Sequence, residues 1–226
     1  MALALVSAAP ALRGADARAV EGRAASDVVR VSGAANIVPL VRVTAQTCRG
    51  REAGSGFVMA GGLVITAAHV VDGAARASID VDGLGTVPGI VIGVDGGGRD
   101  IAVVYVPALA DADGATVAQA DLARGTDVAA AGHPRGGVRQ TFPGRVVGYV
   151  DSGPLAADGG RVLTVNIAFE PGMSGGPVVD TEGRVVGVVI GVERNSGTGI
   201  AVPSGAVVAA LHGEGLAPET RCGAGS

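Results

Sequence analysis

Short runs rich in β-branched residues, each bounded by glycine-bearing turns, constrain this 226-residue chain more than any other feature. Val38 to Thr44, Gly56 to Met59, Leu63 to Thr66, Ala77 to Val81, Gly89 to Val94 and Ile101 to Val106 read as the strands of a first half. Asp127 to Ala131, Gly144 to Val150, Arg161 to Asn166, Gly176 to Val179, Val185 to Ile190 and Gly199 to Val202 repeat the texture. β-Branched side chains suit a pleated, half-buried surface, and runs of this length between turn signals are strand-sized. Two sets of about six strands predict an all-β chain of two six-stranded antiparallel β-barrels with a cleft between them, not βαβ units. Pro203-Ser204 then opens a short C-terminal helix, Gly205 to Leu211, with Ser204 as its expected cap.

This reading divides the chain into a first barrel (residues 37–110), an inter-barrel linker (111–125) and a second barrel with helix and cysteine tail (126–226). The linker falls in Pro107 to Leu122, which carries Ala and Asp without strong periodicity. Residues 1–36 are Ala-rich and lack clear strand alternation. Their apolar patch, Met1 to Leu12, has no basic flank and is too short to span a bilayer. A leader or membrane-proximal linker is expected there; a weak signal peptide or the trimmed end of a membrane segment are the other readings.

Aromatic residues make up only 2% of the chain, so the core must come from Val, Ile, Leu and Ala. A net charge of −4, with no basic cluster, argues against a nucleic-acid partner. Cys48 and Cys222 lack metal-ligand spacing, and no nucleotide motif occurs; neither metal nor cofactor is expected. The two cysteines are either separate thiols or a bridge. A bridge would close a loop of about 170 residues, adding about 5 kcal/mol in the chain-entropy model, and would imply an oxidising compartment.

One loop stands apart from this texture. Glu170-Pro171-Gly172-Met173-Ser174-Gly175-Gly176-Pro177-Val178 frames a single serine with three glycines and two prolines. Glycine admits backbone angles other residues resist, and proline stiffens its neighbours. Such a loop can be a tight turn, or it can hold a hydroxyl beside backbone N–H groups in the geometry acyl transfer requires.

A serine nucleophile needs a base, and the chain has three histidines. His133, in Gly132-His133-Pro134-Arg135-Gly136-Gly137, reads as an exposed loop or cleft-rim residue, and His212 follows the final helix. His69 ends the apolar run Leu63 to Ala68 and is the base by elimination. The base needs an orienting carboxylate. Asp100 directly precedes an apolar strand and is favoured over Asp95, which three glycines follow in what reads as a mobile setting. Asp80 and Asp82 read as a solvated strand face.

The order His69, Asp100, Ser174, carried by Thr66-Ala67-Ala68-His69, Arg99-Asp100-Ile101-Ala102 and Gly172-Met173-Ser174-Gly175-Gly176-Pro177, resembles the chymotrypsin-fold (trypsin-like) serine proteases. Gly54-Ser55-Gly56-Phe57-Val58 and Gly199-Ile200-Ala201-Val202-Pro203 are similar to the bacterial HtrA-like branch. The similarity runs from about Val38 to Leu211. It implies a serine endopeptidase with a His69-Asp100-Ser174 triad and an oxyanion hole from the N–H groups of Gly172 and Ser174. Cys48 and Cys222 add a narrower resemblance to the MarP-type periplasmic serine proteases. This implies that they pair, that the location is extracytoplasmic, and that a membrane anchor lies upstream.

Two departures from the family matter. Met173 stands where the digestive branch has an aspartate that pairs with a new N-terminus, so activation by N-terminal insertion is not expected. Met173 also leaves a second reading, an inactive relative that binds peptides without cleaving them. The resemblance places Ala168 at the base of the substrate pocket, followed by Phe169 and Glu170, which implies an apolar residue before the scissile bond. Glu170 and Glu193 are the carboxylates placed to attract Arg at the rim.

Overall fold

The computed structural model describes residues 28–29, 38–95, 98–151 and 160–218. A two-residue strand, β1 (Val28–Val29), precedes the first barrel. That barrel contains β2 (Val38–Thr47), β3 (Gly50–Met59), β4 (Leu63–Thr66), β5 (Arg76–Val81), β6 (Gly85–Asp95) and β7 (Ala102–Tyr105), with a one-turn helix α1 (Ala68–Val71) after β4. The antiparallel order β2-β3-β4-β7-β6 is completed by β5, which pairs with both β6 and β2 and closes the ring. The second barrel comprises β8 (Asp127–Gly132), β9 (Gln140–Asp151), β10 (Arg161–Val165), β11 (Pro177–Val179), β12 (Val185–Val192) and β13 (Gly199–Pro203). It closes in the order β10-β13-β12-β11-β8-β9. Helix α2 (Ser204–Leu211) follows, and β14 (Leu216–Ala217) returns to pair with β6 of the first barrel. This is the expected all-β fold of two six-stranded antiparallel barrels.

Several strands extend beyond their apolar runs. Pairing of β2 with β3 continues out to Thr47 and Gly50, so β3 begins six residues before Gly56. The added residues, Arg51 to Ala53 among them, are polar or small; the partner strand supplies their order, not burial. Val28–Val29 pair with Pro39 and Val38, a short strand in the stretch read as leader. The rest of residues 1–36 lies outside the described residues. Ser204 does not cap α2. Pro203 occupies that position with extended backbone, and Ser204 is the buried first helical residue with no capping side-chain bond. The fixed φ of proline delivers the chain into the helix one residue early.

Three apolar clusters organise the interior. Val41, Val43, Val58, Val64, Ile79 and Val104 fill the first barrel, and Val128, Leu163, Val165, Met173, Val178 and Val189 fill the second. The third cluster joins them. Phe57, Ile65, Ile101 and Val103 of the first barrel pack with Val179, Val185 and Val188 of the second, and with Val207 of α2. The linker is stitched to both sides: Ala115 N–H donates to Val58 C=O (2.8 Å) and Ala118 N–H to Val185 C=O (2.9 Å). No helix among the described residues is long and apolar enough to cross a membrane.

Candidate active site

Helix α1 has one residue that its packing does not use. Val70 and Val71 are buried in the first-barrel core, which turns His69 outward with about a third of its side chain exposed. Asp100, in the loop after β6, meets it twice. The His69 N–H donates to Asp100 Oδ1 (2.9 Å), and Nδ1 lies 2.7 Å from Oδ2. A carboxylate only accepts, so Nδ1 carries the proton and a neutral ring keeps its Nε2 lone pair free. The backbone of Asp100 is left-handed, with φ of 60°. Aspartate tolerates that region better than most residues, yet it still costs about 1–3 kcal/mol. Bonds on both sides hold it there: Ala68 N–H donates to Asp100 C=O (3.1 Å) and Asp95 N–H to Ile101 C=O (2.8 Å).

Ser174 sits in the second of two consecutive turns. Met173 N–H donates to Glu170 C=O (3.1 Å), and Gly176 N–H donates to Met173 C=O (2.9 Å). Each turn has a glycine of positive φ at its third position, Gly172 (91°) and Gly175 (85°). Proline fixes a negative φ at Pro171, and Ser174 is not among the residues of positive φ; both turns are therefore type II. The Ser174 carbonyl accepts from Ser55 N–H (2.8 Å), which leaves the side chain half-buried at the surface. No hydrogen bond engages its Oγ among the described residues. The serine loop and helix α1 meet over Gly54: a Cβ there would lie 2.6 Å from Val70 Cγ2 and 2.7 Å from Ser174 O. Helix α1, which carries His69 with Asp100 against it, thus meets the serine loop at a junction of the barrels.

The loop Gly132–Gly137 covers the first of these turns. Arg135, itself left-handed at φ 54°, donates its N–H to Pro171 C=O (2.6 Å). In a trans peptide the C=O and N–H point in opposite directions, so the Gly172 N–H faces away from this loop. A Cβ on Gly172 would lie 2.5 Å from His133 O, so both conformation and space require glycine. The guanidinium of Arg135 lies 3.2 Å from Glu170 Oε2, an exposed pair at the rim.

Several sequence readings are corrected by this packing. His133 is buried, not exposed, because its N–H donates to Ser55 Oγ (2.8 Å) beneath the serine loop. Asp95 is not in a mobile setting: its side chain is fully buried and accepts from Arg99 N–H and Nε (3.1 and 2.7 Å). Asp80 is not simply solvated; it pairs with Arg42, which also donates to Gly136 C=O (2.6 Å). Glu193 is occupied in its own turn, where the Ser196 hydroxyl, with the Asn195 and Ser196 N–H groups, holds its carboxyl below the usual range.

Of the pocket candidates, Ala168 is exposed and Glu170 half-buried. Phe169 turns into the second-barrel core, its ring occupying the space a side chain on Gly199 would take. Met173 is fully buried in the same core. Cys48, in the β2–β3 turn, is not a free cysteine, and Cys222 lies outside the described residues. His212 ends α2, its N–H donating to the last carbonyls of that helix. Among the described residues no three His, Cys, Asp or Glu side chains gather as metal ligands.

The site's polar framework was missing from the sequence reading. Ser55 and Thr66 are both buried; Thr66 Oγ1 donates to Ser55 C=O (2.8 Å). The only hint was a serine between two glycines ahead of an apolar run.

The two histidines near the site have opposite electrostatics. The Asp100 hydrogen bond raises the His69 pKa above its ordinary 6.5, against the opposing effect of burial. Burial pushes His133 below 6.5; its Nδ1 faces Gly137 C=O (3.1 Å), and among the described residues its buried Nε2 has no hydrogen-bond partner for a second proton. The stability His69 adds is full below pH 6.5 and fades as the pH rises through its own higher pKa. His133 works the other way, with stability present above 6.5 and lost as the pH falls. An NMR titration should therefore find His69 titrating above 6.5 and His133 below it, and Asp100→Asn should lower only the former. A His69 midpoint at or below 6.5 contradicts the pairing.

A family model of the trypsin-like peptidase domain matches residues 54–188. The chain is 32% identical over 182 residues to the serine protease Rv3671c of Mycobacterium tuberculosis, covering 76% of this chain and 44% of that protein. It is 32% identical over 165 residues to the putative serine protease HhoB of Synechocystis, covering 69% and 38%. The chain thus spans less than half the length of these curated relatives. The crystal structure of the Rv3671c protease from M. tuberculosis in its active form superposes with a TM-score of 0.67 at 27% identity, over 76% of this chain and 79% of that one. The HtrA-type protease AlgW with a tripeptide superposes at 0.70 and 23% identity, over 81% and 63%, a likeness of fold alone.

Proposed function

The chain belongs to the trypsin-like peptidase domain family, and we propose that it is a serine endopeptidase working through His69, Asp100 and Ser174. The two-point hold of Asp100 on His69, beside the turn that carries Ser174, is the observation that supports this reading most. Ser174 Oγ attacks the peptide carbonyl carbon and His69 Nε2 takes its proton. Asp100 keeps the ring in the tautomer with Nε2 free and stabilises the imidazolium. The N–H groups of Gly172 and Ser174 receive the developing oxyanion. His69 then protonates the leaving amine, and water, activated by the same base, hydrolyses the acyl-enzyme. Serine without an imidazole contact at rest is compatible with this role, since such bonds tighten in the substrate complex. Burial of Met173 in the second-barrel core gives the oxyanion turn an apolar anchor, with no place for an N-terminal ion pair.

Substrate and setting follow from the same residues. Ala168 supplies no carboxylate, Phe169 fills space beside Gly199, and Glu170 is engaged by Arg135, which together favour a small or medium apolar residue before the scissile bond. Cys48 pairs with Cys222, placing the domain outside the cytoplasm, behind a membrane anchor upstream of this chain.

A fluorophosphonate probe should label Ser174 in the oxidised protein. Ser174→Ala should abolish labelling and lower peptide turnover by roughly 10⁶-fold while the fold persists. In the same assay turnover should rise with pH through a midpoint above 6.5, as His69 loses its proton. An unlabelled serine in folded protein, or a rate flat through that region, excludes the mechanism. Cleavage of a peptide library should show apolar residues before the cut; a dominant demand for Arg or Lys contradicts the pocket reading. Intact mass before and after reduction reads the bridge: two added hydrogens are expected, and an unchanged mass excludes it.

A further inference from the structure

Ser55 is fully buried, and every hydrogen-bonding group it has points at the site. Its N–H donates to Ser174 C=O (2.8 Å), and its C=O accepts from Thr66 Oγ1 (2.8 Å). Its Oγ accepts from His133 N–H (2.8 Å) and donates to Gly172 C=O (2.8 Å). The last two bonds fix the direction of the hydroxyl proton, because His133 N–H can only donate and Gly172 C=O can only accept. From these contacts we infer that the Ser55 side chain is a positioning residue that holds the Gly172 turn with its N–H available for the oxyanion. The inference rests on the protease reading and goes beyond it.

Three bonds hold the two peptides that flank Gly172. Arg135 N–H holds Pro171 C=O, and Ser55 Oγ holds Gly172 C=O; the third is the Met173 N–H bond that closes the turn. Ser55 supplies the only one of the three that reaches across from the first barrel. It binds both the turn and the covering loop through one oxygen, so the loop that orients Pro171 and the turn that presents Gly172 share a single anchor. An aspartate before the nucleophile would let an ion pair hold this turn; Met173 contributes packing but no ion pair. The directional constraint passes to Ser55. Without its hydroxyl, Gly172 C=O and His133 N–H would both lose a partner at a buried point, which frees the plane of the Gly172–Met173 peptide and loosens the loop whose Arg135 N–H holds Pro171 C=O.

The test compares wild type, Ser55→Ala and Ser55→Cys, the last keeping the shape and a weak donor. Ser55→Ala should lower kcat roughly 10- to 100-fold, less than complete loss of one oxyanion donor, while KM changes less than about threefold. Affinity for a peptide aldehyde, whose adduct with Ser174 carries the oxyanion, should fall in parallel with kcat, whereas affinity for the matching peptide amide should not. Ser55→Cys should lie between. A folded Ser55→Ala with wild-type kcat overturns the inference, as does an equal loss for aldehyde and amide. Wild type that fluorophosphonate does not label defeats the protease reading instead. In that case a crystal structure of Ser55→Ala still decides: a Gly172 turn whose N–H is displaced supports the positioning role, and an unmoved one overturns it.

Discussion

The apolar seam between the barrels is the constraint on which the rest of the molecule depends. Neither barrel holds all three candidate groups: His69 and Asp100 belong to the first, and Ser174 to the second. Phe57 and Ile65, packed with Val179, Val185 and Val188, join the two barrels that carry them. Each such side chain stabilises the folded state by about 1.5–3 kcal/mol through removal from water. That force has no direction, however. It brings surfaces together without deciding how any peptide plane is turned.

Direction comes from a few polar contacts at the seam, made by the buried Ser55 and Thr66 and the partly exposed Arg42. Ser55 reaches from β3 to the backbone of Gly172 and Ser174, Thr66 steadies Ser55 from β4, and Arg42 reaches from β2 to Gly136 of the covering loop. In dry surroundings such bonds are costly to leave unmade, which makes them effective at selecting one backbone arrangement. Asp100 shows the same division. Buried Ile101 fixes the strand that follows it, while the bonds to Ala68 and His69 hold its left-handed backbone and aim its carboxylate. Packing sets the site's place and hydrogen bonds set its angles.

Much of this was legible from residue order. Strand cores are local: Leu63 to Thr66 or Val185 to Ile190 announce themselves by β-branched content, and the structure extends them only where a partner strand supplies order to residues such as Arg51. His69, Asp100 and Ser174 stand out because each adjoins a distinctive local context, an apolar run or a glycine-framed loop. The misreadings share a cause. His133 reads as exposed because its neighbours are glycine, proline and arginine; it is buried because Ser55 of the other barrel accepts its N–H. Asp95 looked mobile because glycines follow it, but Arg99, four residues on, folds back over its carboxylate.

The sequence by itself determined the alternating barrels, the identity and order of the candidate catalytic groups, and the need for glycine in the Glu170–Val178 loop. These are properties of residue type and short-range pattern. Only the tertiary structure decided which way the Gly172 peptide turns, that Met173 anchors its loop by burial, and that Ser55 ties loop and turn together. Those outcomes depend on contacts between residues as distant in the chain as Ser55 and Gly172. A serine hydroxyl carries no mark of the carbonyl it will meet until the seam has brought the two within hydrogen-bonding distance.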